Sequence, residues 1–323
     1  MSVYTCTLNL AIDLFIETDE MKPSQVNRTN DDDIQANGKG VNVSLIMKQL
    51  GIDSTALGFK AGFTGNYIED YLHQKDISTD FISVPGMTRI NVFTQVNKTN
   101  EEFKLVNKGP EIPQEQIKTF LNQIQKLQAD DYLCVSGSLP RGVSPEILID
   151  ISRICFENKV HLIIDSSYPE IIDCLPYQPF LLKPNEEELQ SWYNVELSDR
   201  EGYIHYAERL IADGAKNVLL SLGGEGGIFL NKDIVYSGNS PKGKVVNTAC
   251  AGDTLLGTFL AGYLKGEQVD INLKKSLAAG SSTAFRKGLT DFSDVAELEK
   301  QIEIKEGAES GDGGCSRHWS QYL

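Results

Sequence analysis

Hydrophobic residues in this chain fall in short, almost unbroken runs set between stretches of helical period. Residues 132–136, 160–164, 180–182 and 217–222 are such runs, the pattern of strands covered on both faces. Between them, residues 145–157 place Ile147, Leu148, Ile151 and Ile154 on one stripe, and residues 204–212 predict a second helix. Strand and helix in alternation predict an α/β fold built on a doubly wound, mostly parallel sheet. Ligands of such sheets bind beyond the carboxyl ends of the strands, so polar turns that follow strands become the candidates for chemistry.

Two stretches break this rhythm. Residues 14–34 alternate apolar and polar with no helical stripe, and residues 89–106 alternate more clearly around a Lys98-Thr-Asn100 turn. Both read as half-exposed strands, and they predict a small antiparallel β flap, drawn from residues 14–34 and 87–109, over the main sheet. Pattern alone leaves open that they are surface hairpins with no role. Residues 1–13, 35–86 and 110–305 then form the α/β unit. From Gly307 the composition changes abruptly, and residues 306–323 read as a disordered tail or a remnant of cloning.

With 323 residues, 41% of them hydrophobic, the chain is long enough to bury a core without disulfides or a structural metal. Lys and Arg number 30 against 45 Asp and Glu, a formal charge of −15. That field repels phosphodiester backbones and anionic lipid, which excludes nucleic acid and membrane surfaces as partners. A phosphorylated ligand must therefore be gripped locally, by helix N-termini, a metal, or a few placed cations. The six cysteines are scattered and the four histidines do not cluster with them, so no zinc site is expected. No signal peptide opens the sequence, and the longest strongly apolar stretch, residues 255–264, is about half of the ~20 residues a membrane helix needs. A reduced, cytoplasmic protein is the expectation.

Several constellations could carry chemistry. Asn37-Gly-Lys-Gly-Val-Asn42 opens a helical segment, with glycines that let backbone approach a ligand and Lys39 and Asn42 beside them. By itself it is equally a loop-to-helix turn with a solvated lysine. In Val245-Val-Asn-Thr-Ala-Cys-Ala-Gly-Asp253 a strand passes through small residues into an apolar helix that carries Asp253 in its first turn. The amides of Ala251, Gly252 and Asp253 would make an anion-binding concavity, and the carboxylate could accept a proton from an attacking hydroxyl. An Asp in a first turn also simply complements the helix dipole. Lys183, Asn185 and Glu188 follow a buried strand; Asn185 and Glu188 could hold Mg²⁺ through oxygens and water, or form a capping box, or both. Ser221-Leu-Gly-Gly-Glu-Gly-Gly227 is either a hairpin turn or a glycine wall along a nucleotide, and Ser136-Gly-Ser-Leu-Pro-Arg-Gly142 and Asp165-Ser-Ser167 also follow buried strands. No Gly-x-x-x-x-Gly-Lys-Ser/Thr occurs, which excludes a P-loop. No Gly-x-Gly-x-x-Gly follows the first strand, which excludes a Rossmann dehydrogenase.

Taken in order, Thr7-Leu-Asn-Leu-Ala-Ile-Asp13, Asn37-Gly-Lys-Gly-Val-Asn42, Thr88-Arg-Ile-Asn-Val92, Ser136-Gly-Ser-Leu-Pro140, Lys183-Pro-Asn185 and Ala251-Gly-Asp253 resemble the ribokinase-like family of carbohydrate kinases. The likeness spans residues 1 to about 305 and is greatest to the 1-phosphofructokinase subgroup, with tagatose-6-phosphate kinases as near neighbours. It implies ATP- and Mg²⁺-dependent phosphoryl transfer to a hydroxyl of a phosphorylated ketohexose, fructose 1-phosphate to fructose 1,6-bisphosphate first among the options. Asp253 would be the base, and the amides of Cys250, Ala251, Gly252 and Asp253 the anion hole. Asp13, Gly38, Lys39 and Asn42 would hold sugar hydroxyls; Arg89, Asn91, Lys108, Ser138 and Arg141 would meet the sugar phosphate or the closing flap. Lys183, Asn185, Glu188, Ser221, Gly223, Gly226 and Asn247 would face ATP and Mg²⁺, with Gly280 and Ser281 near the adenine. Exposed flap edges could pair two copies of the chain.

The family's usual Gly-Gly-Lys-Gly reads Asn37-Gly-Lys-Gly here, Asn-Pro-Ala reads Asn9-Leu-Ala, and Gly-Ala-Gly-Asp reads Cys250-Ala-Gly-Asp. A side chain at position 250 would crowd the anion hole or demand a positive φ, which makes a strained site, or a protein that only senses sugar phosphate, a second expectation.

Overall fold

The computed structural model describes residues 1–307, and the predicted tail at 308–323 lies outside the described residues. The chain enters through β1 (Val3–Thr7), leaves for β2 (Ala11–Thr18) and β3 (Asp31–Asn37), and returns through α1 (Lys39–Gln49) to β4 (Thr55–Lys60). α2 (Gly62–Gln74) leads to β5 (Ser78–Ser83), and a second excursion forms β6 (Arg89–Val96) and β7 (Glu101–Leu105). Then α3 (Gln114–Ile124), β8 (Tyr132–Ser136), α4 (Ile147–Asn158), β9 (His161–Asp165) and β10 (Leu181–Leu182) alternate as the hydrophobic pattern predicts. α5 (Glu186–Tyr193) and α6 (Arg200–Ala212) precede β11 (Asn217–Ser221), β12 (Gly227–Asn231) and β13 (Val235–Gly238). The chain closes with α7 (Ala251–Leu264), α8 (Val269–Ala284), α9 (Val295–Glu299) and β14 (Ile304–Glu306), so Glu306, assigned to the tail from sequence, is the last residue of a strand.

The large sheet has the order β14-β13-β12-β11-β10-β9-β8-β1-β4-β5, parallel from β5 through β11 and antiparallel beyond it. Both faces are covered, which is why its central strands read as unbroken apolar runs. Phe59, Phe120, Leu148, Trp192 and Leu210 fill one face and Val43, Met47, Phe229, Phe259 and Leu273 the other.

The flap is a separate sheet with the order β3-β2-β6-β7. Its outer pairings are antiparallel, whereas β2 and β6, the central pair, run parallel because they come from separate excursions. The ladder runs past the edges expected from sequence: Ala11 already pairs with Asn37 and with Arg89. Leu10, Ile12 and Ala36 seat it on Val41, Leu45, Ile68 and Leu72. Asp13 therefore belongs to the flap, opposite Asn91, rather than to the α/β unit.

α1 crosses α7 at Gly257, where a β-carbon would lie 3.0 Å from Ile46 and 3.2 Å from the Val43 carbonyl oxygen. Only a residue without a side chain lets these helices approach so closely, and the crossing sets the N-terminal turns of both helices side by side. A methyl group there fits only if Ile46 or the α1 backbone gives way by a few tenths of an ångström. Gly257→Ala should lower stability by about 1–3 kcal/mol, read as a reduced urea midpoint at unchanged m-value.

Candidate active site

The first turn of α7 follows Cys250, which caps the helix in the left-handed conformation, φ 65°. The positive φ expected at this position is therefore present, in a residue whose β-carbon disfavours it by roughly 1–2 kcal/mol. No side chain caps the helix. Ala251 donates its amide to the Thr248 carbonyl at 3.3 Å. Of the amides at 250–253 expected to meet an anion, that of Ala251 is therefore already engaged, while Gly252 and Asp253 are first-turn groups with no carbonyl of their own in the helix.

Asp253 is 5% exposed. Its Oδ2 accepts a hydrogen bond of 2.8 Å from Nδ2 of Asn42, which the α1–α7 crossing brings opposite it. Burial, reinforced by the charge of Asp165, pushes its pKa up to about 6, while Lys39, Asn42 and Lys183 pull the other way. A carboxyl so placed is ionised near neutrality yet close enough to its titration to take a proton.

The cations come from other strand ends. Asp165 terminates β9 and is fully buried; its Oδ1 lies 3.1 Å from Nζ of Lys39 and 3.2 Å from Nζ of Lys183, which follows β10. Burial acts against its charge, but the two lysines outweigh it and hold the Asp165 carboxyl below the ordinary range. Burial likewise opposes the Lys39 charge, and Asp165, Asp253 and Glu188 together raise its pKa regardless. Lys39 was expected among the sugar hydroxyls. The ion pair with Asp165 turns it instead toward a cavity of about 570 Å³ that Lys183, Asp253, Asn185 and Gly252 also line.

Ser221, Gly223 and Gly226 form one wall of the same cavity and Gly280 and Ser281 another, so the glycine-rich turn is both a hairpin connection and a cavity-facing surface. Asn247 is not part of it. Its side chain accepts the Ala249 amide at 2.9 Å in an Asx turn and lines a different cavity, of about 590 Å³, on the flap side. Asn185 and Glu188 form a complete capping box at the start of α5, with bonds of 2.9 and 2.8 Å. The cap uses one carboxylate oxygen of Glu188. No group of three or more His, Cys, Asp or Glu side chains suited to a metal occurs among the described residues. That donor set fits Mg²⁺ held chiefly by phosphate oxygens and water, the ordinary mode of this ion, and not an all-protein cage.

The remaining candidates gather where the flap meets the main sheet. Asp13 is 5% exposed and accepts from Asn91 at 2.8 Å and from Asn37 at 2.5 Å. Burial raises its pKa against these bonds and the nearby Arg89. Arg89 donates to the carbonyls of Asn9 and Asn107, each at 3.1 Å, and reaches Ser138 Oγ at 3.4 Å; its Nε is buried without a partner. Arg141 holds the Gly109 carbonyl through two bonds of 3.1 and 2.9 Å. Lys108 is exposed between these anchored residues, so Arg89, Lys108, Ser138 and Arg141 share one rim. Gly38 is the N-cap of α1, and its amide donates to Asn37 Oδ1 at 2.6 Å. Sequence reasoning left Asp165 without a role and counted Asn37 only as a departure. Their signals were available, an Asp ending a buried strand and an Asn before the helix-opening glycine, but neither says which charge or amide it will meet.

Among known proteins, the pattern describing pfkB family carbohydrate kinases matches residues 5–296. The chain is 47% identical over 304 residues to a D-tagatose-1-phosphate kinase of Bacillus licheniformis, covering 94% of this chain and 99% of that protein. It is 33% identical over 302 residues to a 1-phosphofructokinase of Bacillus subtilis, covering 94% and 99%. Phosphofructokinase-2 of Escherichia coli, solved with potassium, superimposes with a TM-score of 0.86 at 25% identity, over 93% of this chain and 98% of that one.

Because the folded pKa of Asp253 lies above its unfolded value, its contribution to stability is present below about pH 4 and lost as pH rises through about 6. Asp253→Asn should therefore favour the folded state more at pH 8 than at pH 4, the difference being measured by urea denaturation at both.

Proposed function

The chain belongs to the pfkB family of carbohydrate kinases, and from that premise we propose that its acceptor is a ketohexose 1-phosphate, D-tagatose 1-phosphate ahead of its 4-epimer fructose 1-phosphate. The ranking rests on 47% identity to a protein named for the first sugar against 33% to one named for the second. It phosphorylates phosphosugars; the roles of individual residues are the proposal. The observation that carries it is Asp253, a buried carboxyl held by Asn42, beside a helix N-terminus and a cavity that carries Lys39 and Lys183.

The acceptor hydroxyl, held by Asp13 and Asn42, attacks the γ-phosphorus of ATP. A new O–P bond forms, the bond to the β–γ bridging oxygen breaks, ADP leaves, and the hydroxyl proton passes to Asp253. Negative charge shifting onto the transferred oxygens meets the amides of Gly252 and Asp253, while Lys39 and Lys183 offset the phosphate charge. Mg²⁺, when bound, would neutralise phosphate oxygens, and Glu188, through the carboxylate oxygen that the cap leaves free, would hold its water shell. Arg89, Lys108, Ser138 and Arg141 take the sugar's own phosphate, a local cationic rim in a chain of charge −15. The flap closes over the sugar and excludes water. Its edge strand β7 exposes Phe103 and Leu105, and the adjoining Val106, a surface suited to pairing with a second copy.

ADP release measured across D-tagatose 1-phosphate, fructose 1-phosphate, tagatose 6-phosphate, fructose 6-phosphate and the free sugars tests the acceptor, with the greatest kcat/KM expected on the first. Comparable rates on free sugars would remove the phosphate rim from the account. Asp253→Asn should lower kcat by about 10²–10⁴ with little change in the KM of ATP. In the wild type, kcat/KM should fall about tenfold per pH unit below about pH 6 and level off above it, since the base works ionised.

A further inference from the structure

Asn37, the last residue of β3, uses every hydrogen-bonding position of its amide. Oδ1 accepts from the Gly38 amide at 2.6 Å and from Asn42 Nδ2 at 2.9 Å. Nδ2 donates to Asp13 Oδ2 at 2.5 Å and lies 3.8 Å from Cys250 Sγ. An asparagine amide offers two hydrogens and two lone pairs, so the side chain is saturated and its orientation fixed. Its neighbour Asn42 has two hydrogens for three acceptors: Asn37 Oδ1, Asp253 Oδ2 at 2.8 Å and Cys250 Sγ at 3.2 Å.

One path of hydrogen bonds thus runs from Asp13 in the flap, through Asn37 and Asn42, to Asp253 on α7. The two positions where the sequence departs from the expected glycines, 37 and 250, meet at its centre. Cys250 is half-buried and desolvation raises its thiol pKa, so it stays a neutral, weak acceptor in that corner.

We propose that Asn37 is a positioning residue for phosphoryl transfer: it locks the Asn42 amide onto the Asp253 carboxylate and ties that base to the sugar-side carboxylate of Asp13. Asn37 touches neither the phosphates nor the reacting oxygen; it acts through Asn42 and Asp13. Without it, Asn42 loses the acceptor that fixes its rotation, and Asp13 keeps only Asn91 as a side-chain donor. The charged groups around Asp253 are Lys39 on α1, Asp165 at the end of β9 and Lys183 after β10; around Asp13 the charged neighbour is Arg89 of β6. None of these bonds Asn37, so a change at Asn37 is read through the amides alone.

The inference rests on the kinase reading of the site, and its test separates the two. Wild type, Asn37→Ala and the similarly sized, uncharged Asn37→Leu are compared as full-length protein with ATP and each ketohexose 1-phosphate. Both variants should lose about tenfold or more in kcat while the KM of ATP stays within about twofold, since only the sugar and base side is displaced. The acid limb of kcat/KM should move up by about half a pH unit or more. A purely structural role would lower the melting temperature and the active fraction but leave that limb in place. Carbon-13 carboxyl NMR of aspartate-labelled protein, without substrate, follows Asp13 and Asp253 directly, and both should titrate at higher pH in the variants. Should Asn37→Ala fail to fold, Asn37→Leu, of similar shape and without a charge, carries the comparison. Titration curves and acid limbs that overlay those of the wild type would overturn the inference. A wild type that turns over neither sugar would overturn the kinase reading, and the NMR comparison would still decide the role of Asn37.

Discussion

Two aspartates and two lysines share one corner of this molecule, three of them buried and Lys39 half-buried, and the rest of the site depends on how their charges are balanced. Asp165 is fully buried and accepts both Lys39 and Lys183 through a single oxygen, while its other oxygen has no partner. Two cations for one anion leave that corner positive, and Asp253, held a short distance away, supplies part of the difference. Buried charges persist only when paired, and breaking such a pair costs several kcal/mol. The arrangement therefore sets two lysines, balanced by the two aspartates, against a cavity inside a chain whose overall charge would repel phosphate.

The scaffold explains why these residues meet. Asp165 and Lys183 stand at the carboxyl ends of neighbouring parallel strands, Lys39 opens α1, and Asp253 opens α7. Each comes from a different part of the chain, and the sheet order together with the Gly257 crossing brings them to one point. The helices contribute aligned amides at the same place, so the dipoles and the lysines act on one volume.

Much of this was legible in the sequence because burial leaves a clear trace there. The runs at 132–136 and 217–222 became β8 and β11, and the apolar stretch at 255–264 became the interior of a helix rather than a membrane span. No helix among the described residues is long and apolar enough to cross a membrane. What periodicity could not give was side-chain pairing. Lys39 next to a glycine looks the same whether it meets solvent, a sugar or Asp165, because its partner is 126 positions away. Asn247 shows the opposite failure: a local turn captured its side chain, and tertiary position followed from that turn. The positive φ at Cys250 could be foreseen, because a departure from glycine carries a steric meaning of its own.

The parallel pairing of β2 with β6 has a kinetic meaning. Antiparallel hairpins can close locally, but this pair joins residues about 78 positions apart, with β4, α2 and β5 in between. The loop it closes must be shortened by folding of that intervening unit first, since distant pairings bear the entropy of loop closure before they return any contact. The segment between β2 and β6 supplies β4 and β5 of the large sheet, so the flap's central pairing can close only when that part of the sheet has brought its two excursions together.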